Sequence, residues 1–269
     1  MSVGDAVRSR EVTRIENGQV TTAMDGVAAE APLEVRLDGH PFSVIMRTPG
    51  ADRELVAGFL FSEGVLSDAS DIQSMSAAGE SFDVTVSARR AAEIPDLLSG
   101  RRQVTVNSSC GMCGRRTIES LRVAAVAGEL DEAWGVAPAA LLAMPAALRQ
   151  AQDAFSATGG LHAAGLFDRQ GNLEASAEDV GRHNAVDKLV GRMWLAGRLP
   201  LRDRVLFVSG RLSFEIVQKA ILAGIPVVAA VSAPSSMAVD LGQGHGITLV
   251  GFVRGDRCNI YSGGFRVHG

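Results

Sequence analysis

RVLFVSGRLSFEIVQKAILAGIPVVAAV, residues 204–231, is the stretch whose reading decides the fold. Arg204–Val208 and Pro226–Val231 are short apolar runs bounded by turn residues, which read as strands buried on both faces, and Ser213–Ala223 between them reads as a helix. Downstream, Ser235–Leu241 reads as a further helix and Ile247–Val253 as a long strand. A Gly255-Asp256 turn leads from it into the short strand Cys258–Tyr261. Upstream, with Pro145 at a first-turn position, Leu148 to Phe155 is helical until Gly159-Gly160. Leu161–Asp168 is then a strand, turned by Gln170-Gly171-Asn172 into another. The helix Gly181–Leu195 follows, its apolar face formed by Ala185, Val186, Leu189, Val190, Met193 and Trp194, while its opposite edge presents His183, Asp187 and Lys188. Such alternation predicts an α/β sheet with helices on both faces.

The N-terminal region has a different grain. Asn17-Gly18 follows one strand-like run, and Asp38-Gly39 separates Leu33–Leu37 from Phe42–Met46, the signature of β-hairpins. Asp52 is placed to cap a helix carrying Leu55, Val56, Phe59 and Leu60, which Gly64 ends. Residues 1–100 therefore read as a small α+β domain and 101–269 as a larger α/β domain, α+β overall. Pro95, Gly100, Arg101-Arg102 and Asn107-Ser108-Ser109 mark the crossover between them.

With 269 residues, 46% of them hydrophobic, the chain can bury a full core. A net charge of −4 supplies no basic field for nucleic acid or anionic lipid. Neither a signal peptide nor an apolar run of spanning length is present, so a soluble cytoplasmic protein is expected. Only Lys188 and Lys219 of the 26 basic residues are lysines, a bias that carries no functional reading of its own. Three cysteines, two of them three positions apart, do not make a disulfide framework.

That close pair is the sharpest chemical feature, Ser108-Ser109-Cys110-Gly111-Met112-Cys113-Gly114-Arg115-Arg116, with a candidate helix at Thr117–Ala125. Free N–H groups at a helix start and the two arginines favour thiolate over thiol. A thiolate can accept sulfur as a persulfide and pass it on. Structural zinc usually takes four ligands and a second C-x-x-C is missing; Cys258, His162 and His183 are the only supplements, and no structural metal is expected. A thioredoxin-like redox site is the other reading, although about 100 residues precede the motif. Zinc deaminases pair H-x-E with a later P-C-x-x-C. Here Ala164 stands at the carboxylate position after His162, and the C-x-x-C lies upstream.

Four further segments carry chemistry-bearing residues. His162, in Gly159-Gly160-Leu161-His162, reads either as a packing residue or as a ligand. Glu178, Asp179, Arg182, His183, Asp187 and Lys188 crowd one helix start beyond what capping requires, as a site or as a solvated first turn of ion pairs. Ser209-Gly210-Arg211-Leu212-Ser213 and Ser232-Ala233-Pro234-Ser235-Ser236 lie at strand-to-helix junctions, where free N–H groups suit phosphate oxygens, though ordinary αβ turns use the same residues. Finally, in Gly251–Cys258, Phe252 could stack on a base, Asp256 could bond a guanine edge, and Arg254 and Arg257 could meet a pyrophosphate. A plain hairpin tip has the same composition.

Together these segments resemble the formate dehydrogenase accessory sulfurtransferase family, the FdhD proteins. The resemblance runs through Thr48-Pro49, Gly58-Phe59-Leu60, Glu63-Gly64, Ser109–Gly114, Thr158–Ala164, Glu178–Lys188, Ser209–Ser213 and Gly251–Arg257, in one order. It implies that a cysteine desulfurase loads sulfur on Cys110, and that the sulfur passes to the molybdenum of a bis(molybdopterin guanine dinucleotide) cofactor, the cargo, before it enters the formate dehydrogenase catalytic subunit. Cys113 then assists, by relaying the sulfur or by closing a disulfide with Cys110. The family's cofactor-binding stretch falls on Phe252, Val253, Arg254, Gly255, Asp256 and Arg257. Ser209, Gly210, Arg211 and Ser235 are expected to hold the remaining phosphate and guanine groups. The larger domain is implied to be similar to cytidine deaminases without their zinc chemistry. The rival reading is a non-catalytic chaperone that binds the molybdenum cofactor while its cysteines carry no sulfur. A homodimer, paired through the small domain or the apolar helices, is expected.

Overall fold

The computed structural model describes residues 3–99 and 133–268; Cys110, Cys113, the Arg115-Arg116 pair and the candidate helix Thr117–Ala125 lie outside the described residues. A short helix α1 (Val3–Ala6) leads into a ribbon of two ten-residue strands, β1 (Val7–Glu16) and β2 (Gln19–Ala28). Asn17 and Gly18 both take positive φ in its turn, as a tight hairpin with this strand twist requires.

A four-stranded sheet follows, in the order β4 (His40–Arg47), β3 (Ala31–Leu37), β6 (Ser81–Val86), β5 (Ile72–Ala78). Period-two patterning buries Leu33, Val35 and Leu37 on one face of β3 and Phe82, Val84 and Val86 on one face of β6. Helix α2 (Asp52–Ser62) lays Leu55, Val56, Phe59 and Leu60 on that face. The helix starts differently from the sequence expectation. Ala51, at φ 56, is its N-cap and contributes no side-chain bond, while Asp52 receives Nε and Nη2 of Arg47, each at 2.9 Å. A buried guanidinium outcompetes the capping role. Helix α3 (Ala88–Ser99) closes this part of the chain.

The second sheet has six strands in the order β12 (Arg257–Ser262), β11 (Thr248–Arg254), β10 (Val227–Ala230), β9 (Val205–Val208), β7 (His162–Phe167), β8 (Leu173–Asp179). Strands β9, β10 and β11 are parallel, and β7, β8 and β12 are antiparallel to their neighbours. Helices α6 (Arg182–Leu195), α7 (Phe214–Leu222) and α8 (Ser236–Gly244) cover one face, and α4 (Pro138–Gln150) covers the other with Leu141, Met144 and Leu148. The expected layering, mixed α and β with helices on both faces of a sheet, is what the chain adopts.

Two boundaries moved. Pro138, not Pro145, opens α4, and Pro145 sits inside it; the helix ends at Gln150 before a separate turn, α5 (Asp153–Thr158), ahead of Gly159. The N-terminus of α5 is capped from outside, because the Glu178 carboxylate accepts the N–H groups of Ala154 (3.1 Å) and Phe155 (2.8 Å). Helices α2 and α6 cross where Gly58 meets Gly191. A methyl on Gly58 would sit 2.0 Å from the Asp187 carbonyl oxygen, and one on Gly191 1.9 Å from that of Glu54. Only glycine on both sides permits that approach.

Candidate functional site

The strand directions gather one end of the large sheet into a single rim. β9, β10 and β11 finish there, at Val208, Ala230 and Arg254; β7 begins there, at His162; and β8 delivers Glu178 and Asp179 to it. Open α/β sheets bind ligands at this end because the strand-to-helix junctions present unpaired backbone groups. Next to the rim, between α4, α5 and the sheet, lies a cleft of about 660 Å³ lined by Arg149, Gln152, Phe155, Gly160, His162, Phe207, Ser209 and Val231.

The two predicted junctions are stitched together. Leu212 N–H donates to Ala233 O (3.1 Å) and Ser235 N–H to Leu212 O (2.9 Å). Ser209 Oγ accepts the Ala163 N–H at 2.9 Å, which fixes the start of β7 against the end of β9. Gly210 then lies beside the His162 ring, where a methyl would be 3.4 Å from Nδ1 and 3.7 Å from Cδ of Arg182. Burial pushes the His162 imidazole below its usual range, and Arg182, His183 and Arg211 add to the shift. A neutral imidazole beside two guanidiniums can accept a hydrogen bond or a proton. Ser235 is the N-cap of α8, its Oγ accepting from Ala238 N–H at 3.3 Å.

The Gly251–Arg257 segment arches over the same rim. Phe252 takes φ 55 within an irregular register between β11 and β12, and its N–H donates to Ser232 O at 3.2 Å. Arg254 Nε donates to Val231 O at 2.7 Å, which ties its exposed guanidinium to a residue that lines the cleft. Gly255, Asp256 and Arg257 form the exposed turn. Val253 has no exposed surface and packs in the core, so it can offer a ligand nothing but backbone. Of the ten cofactor-binding positions expected from sequence, Ser209, Gly210 and Arg254 thus adjoin His162 and the cleft, and Ser235 is joined to them through Leu212.

The cluster around the start of α6 is not a solvated first turn. Lys188, 1% exposed, donates to Asp179 Oδ2 (2.7 Å), Thr48 O (2.8 Å) and Glu178 O (3.2 Å). Asp179, fully buried, also accepts from the N–H groups of Thr48 (3.1 Å) and Gly181 (2.8 Å) and from Asn184 Nδ2 (2.9 Å). Burial pushes its carboxyl upward, and these donors, Lys188 foremost, oppose the shift. Asp187 receives Lys219 Nζ at 2.6 Å and Ser62 Oγ at 2.9 Å. Thr48 and Ser62 come from the N-terminal part, so this ionic seam welds the four-stranded sheet and α2 to α6 and the large sheet. Sequence reading located the α6 residues and named Thr48 and Lys219 without placing them in this cluster, and it did not single out Ser62 or Glu215. Lys188 and Lys219, the chain's two lysines, were the available signal.

His183 Nε2 lies 3.2 Å from Ser213 Oγ and 3.7 Å from Glu215 Oε2. Burial alone would raise the Glu215 carboxyl, but the neighbouring His183 and Ser213 side chains bring it down to about 2. Both partners sit on one ring nitrogen, so the trio orients the Ser209–Ser213 junction and does not form a nucleophilic relay. Among the described residues no three His, Cys, Asp or Glu side chains are grouped to hold a metal ion, and no helix is long and apolar enough to cross a membrane.

A mixed sheet with helices on both faces, joined to the four-stranded sheet and α2 by buried ion pairs, defines the class, and comparison with known proteins supplies the family. The model of the FdhD/NarQ family matches residues 28–268, and the chain belongs to that family. The chain is 49% identical to a protein of Streptomyces avermitilis named sulfur carrier protein FdhD, over 98% of this chain and 97% of that protein. It is 44% identical to the Mycobacterium tuberculosis protein of the same name, over 98% and 100%. Among solved structures, a candidate formate dehydrogenase accessory protein from Desulfotalea psychrophila superposes with a TM-score of 0.77 at 25% identity, covering 98% of this chain and 100% of that one.

Proposed function

We propose that this chain is a sulfur carrier: Cys110 takes a sulfane sulfur from a cysteine desulfurase and passes it to the molybdenum of a bis(molybdopterin guanine dinucleotide) held at the sheet rim, for delivery to a formate dehydrogenase. The observation that carries the reading is family membership over residues 28–268, with relatives named sulfur carriers matched along almost their whole length. The rim supports the cargo half of it. His162, Arg182, Arg211 and Arg254 surround junctions suited to phosphate oxygens, and the cleft offers apolar walls for a flat heterocycle.

Loading breaks the desulfurase S–S bond and forms Cys110–S–S⁻. For release, the Cys113 thiol passes its proton to the terminal sulfur and its sulfur attacks Sγ of Cys110; the two cysteines become a disulfide, and the terminal sulfur leaves as hydrosulfide for the metal. Two electrons from the cysteines reduce the sulfane atom, so the step balances without an outside reductant. A reducing compartment such as the cytoplasm then resets the pair.

The test is intact mass spectrometry after incubation with an active desulfurase and cysteine. A reductant-labile adduct of about one sulfur atom on the wild type and on Cys113→Ala, absent from Cys110→Ala, is expected. A wild type that gains no adduct would leave the protein as a non-catalytic cofactor chaperone.

A further inference from the structure

Gln152 is the N-cap of α5 and does not cap it. Its carbonyl oxygen accepts from Ser156 Oγ at 2.7 Å, while the Glu178 carboxylate takes the N–H groups of Ala154 and Phe155 that an N-cap side chain would hold. The Gln152 carboxamide is thereby released from the task of its position. The residue is only 5% exposed, it lines the cleft, and its side chain makes no hydrogen bond with any described residue. Buried amides are normally bonded at both ends, so one left open on a cleft wall is suited to recognise a ligand. The wall beside it is stiff. Arg149 donates to Ser156 Oγ at 2.8 Å, and its guanidinium carbon lies 4.6 Å from the centre of the Phe155 ring. With Leu148 and Phe207 on the same lining, the cleft offers apolar and aromatic surface to the faces of a planar ring and one carboxamide to its edge.

A carboxamide sets an acceptor beside a donor, and its complement is a lactam edge, a ring N–H beside a carbonyl. In the proposed cargo both the guanine and the pterin carry that edge, and position separates them. The turn Gly255-Asp256-Arg257, suited to guanine, lies off the cleft lining, whereas Ser209 belongs to it, and so does Val231, whose carbonyl oxygen accepts from Arg254 Nε. A nucleotide laid with its base at that turn and its phosphates across the Ser209-Gly210 junction brings its pterin end to the cleft. At about 660 Å³ the cleft has room for the fused ring. We propose that it takes the pterin of the molybdopterin guanine dinucleotide and that Gln152 selects it, Oε1 accepting from the ring N3–H and Nε2 donating to the 4-oxo oxygen. The assignment rests on the cargo reading above and adds to it the residue that tells this heterocycle from an apolar ring of equal size.

The experiment is calorimetry on the full chain with two bicyclic probes, 6-hydroxymethylpterin and quinoxaline, each with and without saturating GDP. The wild type is expected to bind the pterin in preference to quinoxaline, and GDP is expected not to displace it. In Gln152→Leu the pterin should bind about tenfold more weakly, the worth of one or two net hydrogen bonds, while quinoxaline binds at least as well as to the wild type. That crossed change is one a merely structural role would not produce. The wild-type preference and the GDP arm decide the matter even if Gln152→Leu folds poorly. A wild type that loads persulfide sulfur and binds GDP but not the pterin would overturn this assignment and leave the cargo reading standing. Displacement of the pterin by GDP would place guanine in the cleft, and equal pterin affinity in Gln152→Leu would remove Gln152 as the selector; either result overturns the proposal. Pterin uptake by a wild type that takes neither GDP nor sulfur would strike the cargo reading while upholding the cleft.

Discussion

Gly58→Ala sets two known effects against each other. In an isolated helix interior the change stabilises by about 1 kcal/mol, because alanine loses less backbone entropy on folding. In this structure the new methyl would lie 2.0 Å from the Asp187 carbonyl oxygen, well inside the 3.4 Å at which contact becomes ordinary, so α2 and α6 must part by about 1.4 Å. The obstructing atom is backbone and cannot rotate away. Overpacking of this kind costs about 1–3 kcal/mol. The separation also stretches the 2.9 Å Ser62–Asp187 bond, a net loss of about 1 kcal/mol in a buried setting. With the propensity gain subtracted, a destabilisation of about 2 kcal/mol is expected, or a melting temperature lower by about 4–8 °C for a chain of this size. Scanning calorimetry of the wild type, Gly58→Ala and Gly191→Ala measures it, with Gly244→Ala as the control: nothing lies within 4 Å of a methyl there, and a small rise is expected. A melting temperature for Gly58→Ala equal to or above that of the wild type would refute the close-packing argument.

Lys219→Met strands the buried Asp187 carboxylate and should destabilise by about 3–5 kcal/mol, while the double variant Asp187→Asn/Lys219→Met recovers much of that loss; urea midpoints of the three proteins test it. Glu215 has a folded-state pKa of about 2, below its ordinary 4.5, so its contribution is fully present above 4.5 and is lost as pH falls towards 2. The stability gap between the wild type and Glu215→Gln should therefore narrow steadily over that window, and a gap independent of pH would exclude the carboxylate as its source. Arg254→Ala should weaken GDP binding in calorimetry while leaving persulfide loading on Cys110 intact; unchanged GDP affinity removes Arg254 from the cargo site. Because burial and neighbouring cations hold His162 below its usual pKa, GDP should bind more tightly at pH 5.5 than at 7.5, and His162→Gln should flatten the difference.

What the sequence could and could not reveal follows from the range of the forces involved. Strands such as Val205–Val208 and turns such as Asn17-Gly18 are specified by adjacent residues, and they appear where the local pattern placed them. Asp52 misled because its partner, Arg47, lies across a turn on another element and holds the carboxylate more strongly than a cap would. The α6 cluster stayed open between a site and a solvated first turn for the same reason on a larger scale. Asp179, Asp187 and Lys188 look like surface charges in a linear string, and partners far away in sequence, Thr48 and Ser62 more than 100 residues off and Lys219 on another helix, help to bury and satisfy them. The rim was partly legible because junction residues follow their own strands. The meeting of His162 with Gly210, or of Arg254 with Val231, depends on strand order, which no local pattern encodes.

The seam gives the protein an unusual chemical exterior. Its only two lysine amines, at 1% and 7% exposure, are both committed to buried carboxylates, so every side-chain cation on the surface at neutral pH other than histidine is a guanidinium. Amine-directed reagents consequently find no lysine target on the folded molecule, and acylation of Lys188 or Lys219 reports the moment at which the two parts of the chain come apart. The rate of that labelling is a native clock for opening of the seam, readable residue by residue in a protein that needs no engineered probe.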